Sequence, residues 1–176
     1  MFKVKKPKVG ILMKEMRARK TQDQLAMDLN VSRETISKYE NGRSKIPSDI
    51  TRSLMSKYDN PRFAITVRNE YTKTGAVWLD GPNVDLHRSS VKEKVLEELN
   101  EAVLILSNFC MAKPLKSLQH FEHQELESVL EELIEAQTAL EHMVAVICEE
   151  ANISYTGSWD RHYKFLASAG YIRGLA

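Results

Sequence analysis

Only two cysteines, Cys110 and Cys148, occur among the 176 residues. Both sit in apolar, helix-like surroundings and fit neither a disulfide framework nor a zinc-ligand spacing. Buried, reduced thiols are therefore expected. No run approaches about 18 consecutive apolar residues, and the basic start MFKVKKPK is followed by no apolar signal core, so the chain is expected to stay in the cytoplasm. The sequence also lacks a phosphate loop, a Gly-rich dinucleotide turn, a Gly-x-Ser-x-Gly elbow and an HExxH pair, and no enzyme is expected. The five histidines, His87, His120, His123, His142 and His162, form no set with the spacing of a closed metal site. The expected inventory is no metal and no cofactor.

What is present is a globular composition, 43% hydrophobic and 28% charged, above the apolar poverty that marks disorder. The net charge of +1 hides a polarity. Residues 1–60 carry 14 Lys/Arg against 7 Asp/Glu, a net +7, residues 61–85 balance, and residues 86–176 carry 8 against 14, a net −6. A basic module joined to an acidic one points to a polyanionic partner for the first third of the chain.

The spacing predicts a mainly α fold. Helices are expected over 9–19, with Val9, Leu12, Met13 and Met16 on one stripe, and from Thr21, which forms a capping box with Gln24. Asn30 and Val31 make a turn, Ser32 caps a third helix with Ile36 and Tyr39 inward, and Asn41-Gly42 ends it. A fourth starts at Pro47-Ser48 with Ile50, Leu54 and Tyr58 inward, and Asn60-Pro61 opens a further helix to Thr72. The segment from Gly75 to Gly81 fits a short strand or an ordered loop. Beyond it, 89–108 is amphipathic, with Val91, Val95, Leu99, Ala102, Val103 and Leu106 at helical spacing, and Arg88, Lys92, Glu93, Lys94, Glu97 and Glu98 read as its exposed charged face. Residues 124–151 place Leu126, Leu133, Leu140 and Ile147 seven apart, with Val129, Ala136 and Met143 between; this suits an intramolecular core and a subunit seam equally. Ser158 is the expected cap of a last helix to Ala169, docking through Tyr163, Phe165 and Leu166. The expected domains are 1–70, a linker at 71–85 whose Gly and Pro supply slack, and a helical oligomerisation or regulatory domain at 86–176.

The residues TQDQLAMDLNVSRETISKYENG, from Thr21 to Gly42, resemble the helix-turn-helix of the phage lambda repressor and Cro family, also called the xenobiotic-response-element family. The matching features are Gln22 at the start of the second helix, Leu25-Ala26, Val31-Ser32 at the turn, Ile36, and Glu40-Asn41-Gly42. The likeness continues through Pro47 to about Tyr58, roughly a third of the chain. Ala26 is small where two helices cross closely, and Val31 and Ile36 fill the angle between them. The third helix then exposes Arg33, Glu34, Ser37 and Lys38, where such a helix meets base edges in the major groove. The resemblance implies backbone contacts from Gln22, Asn41 and Arg43, and Lys45 adds charge. Lys20-Thr21 departs from the glycine and apolar residue usual before the second helix. That shortens the first connection and leaves the exact place of helix one open. Glu34 is an acidic reader that suits cytosine N4 and otherwise repels phosphate, which argues for a specific site over nonspecific coating.

The stretch WLDGPNVDLHRSSVKEKVLEELNEA, from Trp78 to Ala102, is similar to segments that follow such domains in phage and mobile-element regulators. The expected function is a sequence-specific transcriptional regulator of phage, plasmid or conjugative-element type, a repressor binding double-stranded DNA half-sites as a dimer or higher oligomer. The alternative is an antitoxin-type protein whose C-terminal helices bind a partner protein while the N-terminal domain autoregulates its operon.

Overall fold

Three of the early helices begin where a side chain takes over an N–H that the helix cannot satisfy itself. In the computed structural model, which describes residues 8–173 with side chains from Val9 onward, the Thr21 hydroxyl accepts from Gln24 N while the Gln24 side chain accepts from Thr21 N. Ser32 accepts from Thr35 N, and Asn60 from Phe63 N. The basic start at 1–7 lies outside the described residues. The helices are α1 (Lys8–Met16), α2 (Gln22–Leu29), α3 (Arg33–Glu40), α4 (Ser48–Tyr58), α5 (Pro61–Thr72), α6 (Arg88–Asn108), α7 (His120–Glu150) and α8 (Tyr155–Ser168), with no strand among the described residues. The mainly α expectation holds, and the segment from Gly75 to Gly81 is a loop.

Helix α1 ends three residues before its expected end. Ala18 adopts a left-handed φ of 50°, and the Arg17 side chain turns back onto the Lys20 carbonyl. The shortened connection is thus closed by an arginine where a glycine was missing. Lys20 itself reaches Asp28 at 2.7 Å, and Lys57 of α4 reaches the same carboxylate at 2.8 Å. Around this frame the buried side chains of α1–α5 make one core, with Met13, Leu25, Ile36, Leu54 and Phe63 fully enclosed. Gly10 is required by close approach: a Cβ there would lie 2.4 Å from the Tyr39 carbonyl oxygen.

The second half is a long antiparallel pair, α6 against α7, with α8 folded beneath. Bonds from three residues, Asp59, Arg68 and Leu79, tie it to the first half. Asp59, just past α4, accepts from Tyr155 N at 3.0 Å and Thr156 N at 2.8 Å. Arg68 of α5 pairs with Glu141 of α7. Leu79 N donates to Nε2 of buried His142 at 3.1 Å, while His142 Nδ1 meets the Thr138 carbonyl at 2.8 Å. Trp78 lies over the His142 ring, centroids 5.1 Å apart. The segment expected to supply slack is therefore anchored to α7.

Four further expectations are corrected here. Ser154, not Ser158, caps α8, because Asp59 fixes the helix start at Tyr155; Tyr163 and Phe165 are consequently exposed. Cys110 is exposed and only Cys148 is buried, since Cys110 follows the end of α6. Glu98 is not on an exposed face but only 3% exposed, between α6 and α7. Val103 and Leu106 point outward, because the stripe facing α7 runs through Val91, Val95, Glu98 and Ala102.

Candidate nucleic-acid interface

Helix α3 is eight residues long, and its inward side fixes what its outward side presents. Ile36 is fully buried and Tyr39 nearly so, which turns Arg33, Glu34 and Lys38 to solvent, with Ser37 half-buried. Ala26 is buried on α2, and Asn30 makes the turn in left-handed conformation at φ 53°. Ala26 of α2 and Ile36 of α3 are both buried in the shared core where the two helices meet.

Behind α3 lies a polar network that helical spacing alone foreshadows, since Glu40 follows inward-facing Ile36 by four residues. The Glu40 carboxylate, 4% exposed, accepts from Arg17 Nε at 2.6 Å through Oε1 and from Gln22 Nε2 at 2.8 Å through Oε2. One carboxylate thus joins the end of α1, the start of α2 and the end of α3. With Arg17 itself bonded to the Lys20 carbonyl, the network sets the angle at which α3 leaves the domain. The sequence reading assigned no role to Arg17, and it placed Gln22 only toward DNA.

Of the eight candidate contact residues, Arg33, Glu34, Ser37 and Lys38 lie on α3, Gln22 opens α2, and Asn41, Arg43 and Lys45 follow α3. Arg33 is exposed and makes only a loose approach to Asp23, 3.8 Å between Nε and Oδ2 with both side chains more than half exposed; such a pair contributes little and leaves the guanidinium able to move. Glu34 occupies the first turn of α3 and Lys38 its last, matching the helix dipole as well as facing outward. Asn41 caps α3: its Nδ2 donates to the Ser37 carbonyl at 2.8 Å and to Ser37 Oγ at 3.3 Å. Gly42 follows with φ 66°, a value that favours glycine, and turns the chain so that Arg43 and Lys45 stand exposed beside α3. Arg33, Lys38, Arg43 and Lys45 form the cationic rim of the exposed helix.

A family model described as helix-turn-helix matches residues 13–59, from the last turns of α1 through α4. No curated protein and no solved structure matches the chain. No helix among the described residues is long and apolar enough to cross a membrane. The match, the buried crossing of α2 on α3 and the cationic outer face agree, and residues 13–59 are a helix-turn-helix DNA-binding domain of the kind found in transcriptional regulators.

Proposed function

We propose that the protein is a sequence-specific repressor that reads operator half-sites as a dimer. The observation that carries this reading is the outward face of α3. Arg33, Glu34 and Lys38 are held off the core by Ile36 and Tyr39, and the whole helix is braced from behind by Arg17, Glu40 and Gln22. Arg33, Glu34, Ser37 and Lys38 read bases. Arg43 and Lys45 hold the phosphate backbone, Asn41 adds its remaining amide capacity, and Gln22 donates the second hydrogen of Nε2 to a phosphate, the first being bonded to Glu40. The operator is of the kind that phage, plasmid or conjugative-element regulators bind.

Dimerisation is supported by what α6 and α7 leave uncovered. Val103 and Leu104 of α6 are 63% and 65% exposed, and Leu130 and Ile134 of α7 are 50% and 60%. Leu133, Leu140 and Ile147, from the seven-residue stripe, are also exposed, while Val129 and Ala136 take the inner face. An apolar surface at coiled-coil spacing suits a second identical hairpin, giving a four-helix bundle.

The test is selection of bound duplexes from a random pool, followed by repetition with Arg33→Ala plus Lys38→Ala. The wild type should enrich an inverted repeat, and the variant should lose the preference at specific bases. Unchanged preference in the variant would remove α3 from base reading. Enrichment of a single half-site by a monomer, with a different protein copurifying on the α6–α7 face, would favour the antitoxin-type role.

A further inference from the structure

Three carboxylates from the two long helices converge at the edge of the α6–α7 pair, with Glu98 buried, Glu132 half-buried and Glu101 exposed. Ligand oxygens of Glu98 and Glu101 on α6 and Glu132 on α7 lie within 4.8 Å of one another. Three anions at that range repel strongly in a partly desolvated space, and the neighbourhood supplies only one evident counter-charge. Lys94 Nζ bonds Glu98 Oε1 at 2.6 Å. The other oxygen of Glu98, which is 3% exposed, is shut away with no hydrogen-bond partner, and so is Oε2 of Glu132. A buried carboxylate oxygen without a donor is costly. Two of them on facing helices, in one cluster, mark a place that lacks a positive group. Counting Lys94 against the three carboxylates leaves two negative charges.

We propose that Glu98, Glu101 and Glu132 bind one hard divalent cation, of the magnesium, manganese or calcium class, which joins α6 to α7. The donor set is all oxygen, which selects this class over the softer metals that seek thiolate or imidazole. The spacing agrees. Two oxygens on one cation lie at most twice the metal–oxygen distance apart, about 4.6–5.2 Å for calcium and about 4.2 Å for magnesium, so calcium asks the smallest inward movement of the three carboxylates and the smaller cations a larger one. The cluster can be reached from outside, since Glu101 is exposed and Glu98 also lines an open cavity of about 480 Å³ between α6, α7 and the segment from Leu79 to Leu86. The site escapes a search for ligand spacing in the sequence because its third carboxylate comes from another helix, 31 residues beyond Glu101.

The experiment titrates the full-length protein with manganese chloride at one neutral pH, following free manganese by electron paramagnetic resonance and unfolding by heat. A single manganese per chain should be taken up, displaced by calcium or magnesium, and the melting temperature should rise by about 5 °C or more near saturation. Glu132→Gln should weaken uptake about tenfold or more without loss of fold, since it removes one of three repelling charges. Glu127→Gln, on the exposed side of α7, should bind as the wild type does. Wild-type protein that leaves millimolar manganese free, or Glu132→Gln binding with unchanged affinity, would overturn the proposal and leave the cluster neutralised by a proton.

Discussion

Glu40 faces away from the outer surface of α3, yet it helps to fix where the outward side chains of that helix point. Its carboxylate serves Arg17 and Gln22 together at 2.6 and 2.8 Å in a site 4% exposed. Such a group stabilises only while every partner is present; removing one side strands the other charge away from water. Glu40→Ala should therefore cost about 3–5 kcal/mol, while Glu40→Gln, which keeps the shape and one acceptor, should cost about 1–3 kcal/mol. Urea unfolding of the two variants measures this, and a loss under 1 kcal/mol in Glu40→Ala would mean that packing by Ile36 and Tyr39 holds α3 unaided. The packing has its own test: Ile36→Ala should open a cavity costing about 2–5 kcal/mol, seen as a lower melting temperature. At this scale the sequence was informative wherever a residue acts on near neighbours. Thr21, Ser32, Asn60 and Asn41-Gly42 all cap as their local pattern implies. It was silent on Arg17, whose partner is 23 residues away.

Helix boundaries obey the same distinction between local and distant causes. The starts of α2, α3 and α5 coincide with local caps, whereas α8 starts where Asp59 puts it, 96 residues upstream. Spacing within 154–158 alone could not choose between Ser154 and Ser158; the carboxylate chose. In the same way, helical periodicity placed Glu98 among the charged residues of α6, and only the arrival of α7 made its position internal. The Asp59 contact carries a pH signature. Burial pushes its carboxyl upward, but hydrogen bonds from Ser154, Thr156 and Tyr155 outweigh this and hold it below the ordinary aspartate value. A carboxyl lowered in the folded state adds stability above its unfolded value, about 3.9, and that contribution is lost as pH falls through the folded value. Asp59→Asn should thus lower stability by about 1 kcal/mol at pH 7, with the gap between variant and wild type shrinking progressively as pH falls below about 3.9. A gap that did not shrink would show that the charge of Asp59 is irrelevant to the docking of α8.

The anchoring of the reading domain to α7 decides how the whole molecule would meet DNA. With Asp59, Arg68 and Leu79 each bonded to α7 or α8, the two α3 helices of a dimer would be held at a separation set by the α6–α7 bundle, with no free linker to absorb differences. A single recognition helix reads few base pairs, so a pair must engage half-sites about 34–36 Å apart or a multiple of one turn. The second contact is then intramolecular and can add about 10²–10⁴-fold in avidity. Two outcomes follow from rigid heads. Inserting about half a helical turn between half-sites should remove most of that gain, where a slack linker would tolerate it. Replacing Val103 and Ile134 together by glutamate should give a helical monomer that binds one half-site as well as the wild type and the complete operator about 10²–10⁴-fold more weakly. Both substituted residues are about 60% exposed in the monomer, so its fold should survive, and circular dichroism checks that it does. Light scattering reads the subunit number. A wild type already monomeric at working concentration would remove the dimer and make the apolar face of α6–α7 a seat for a different protein, whereas full affinity for operators of any spacing would show that the heads are not held rigidly.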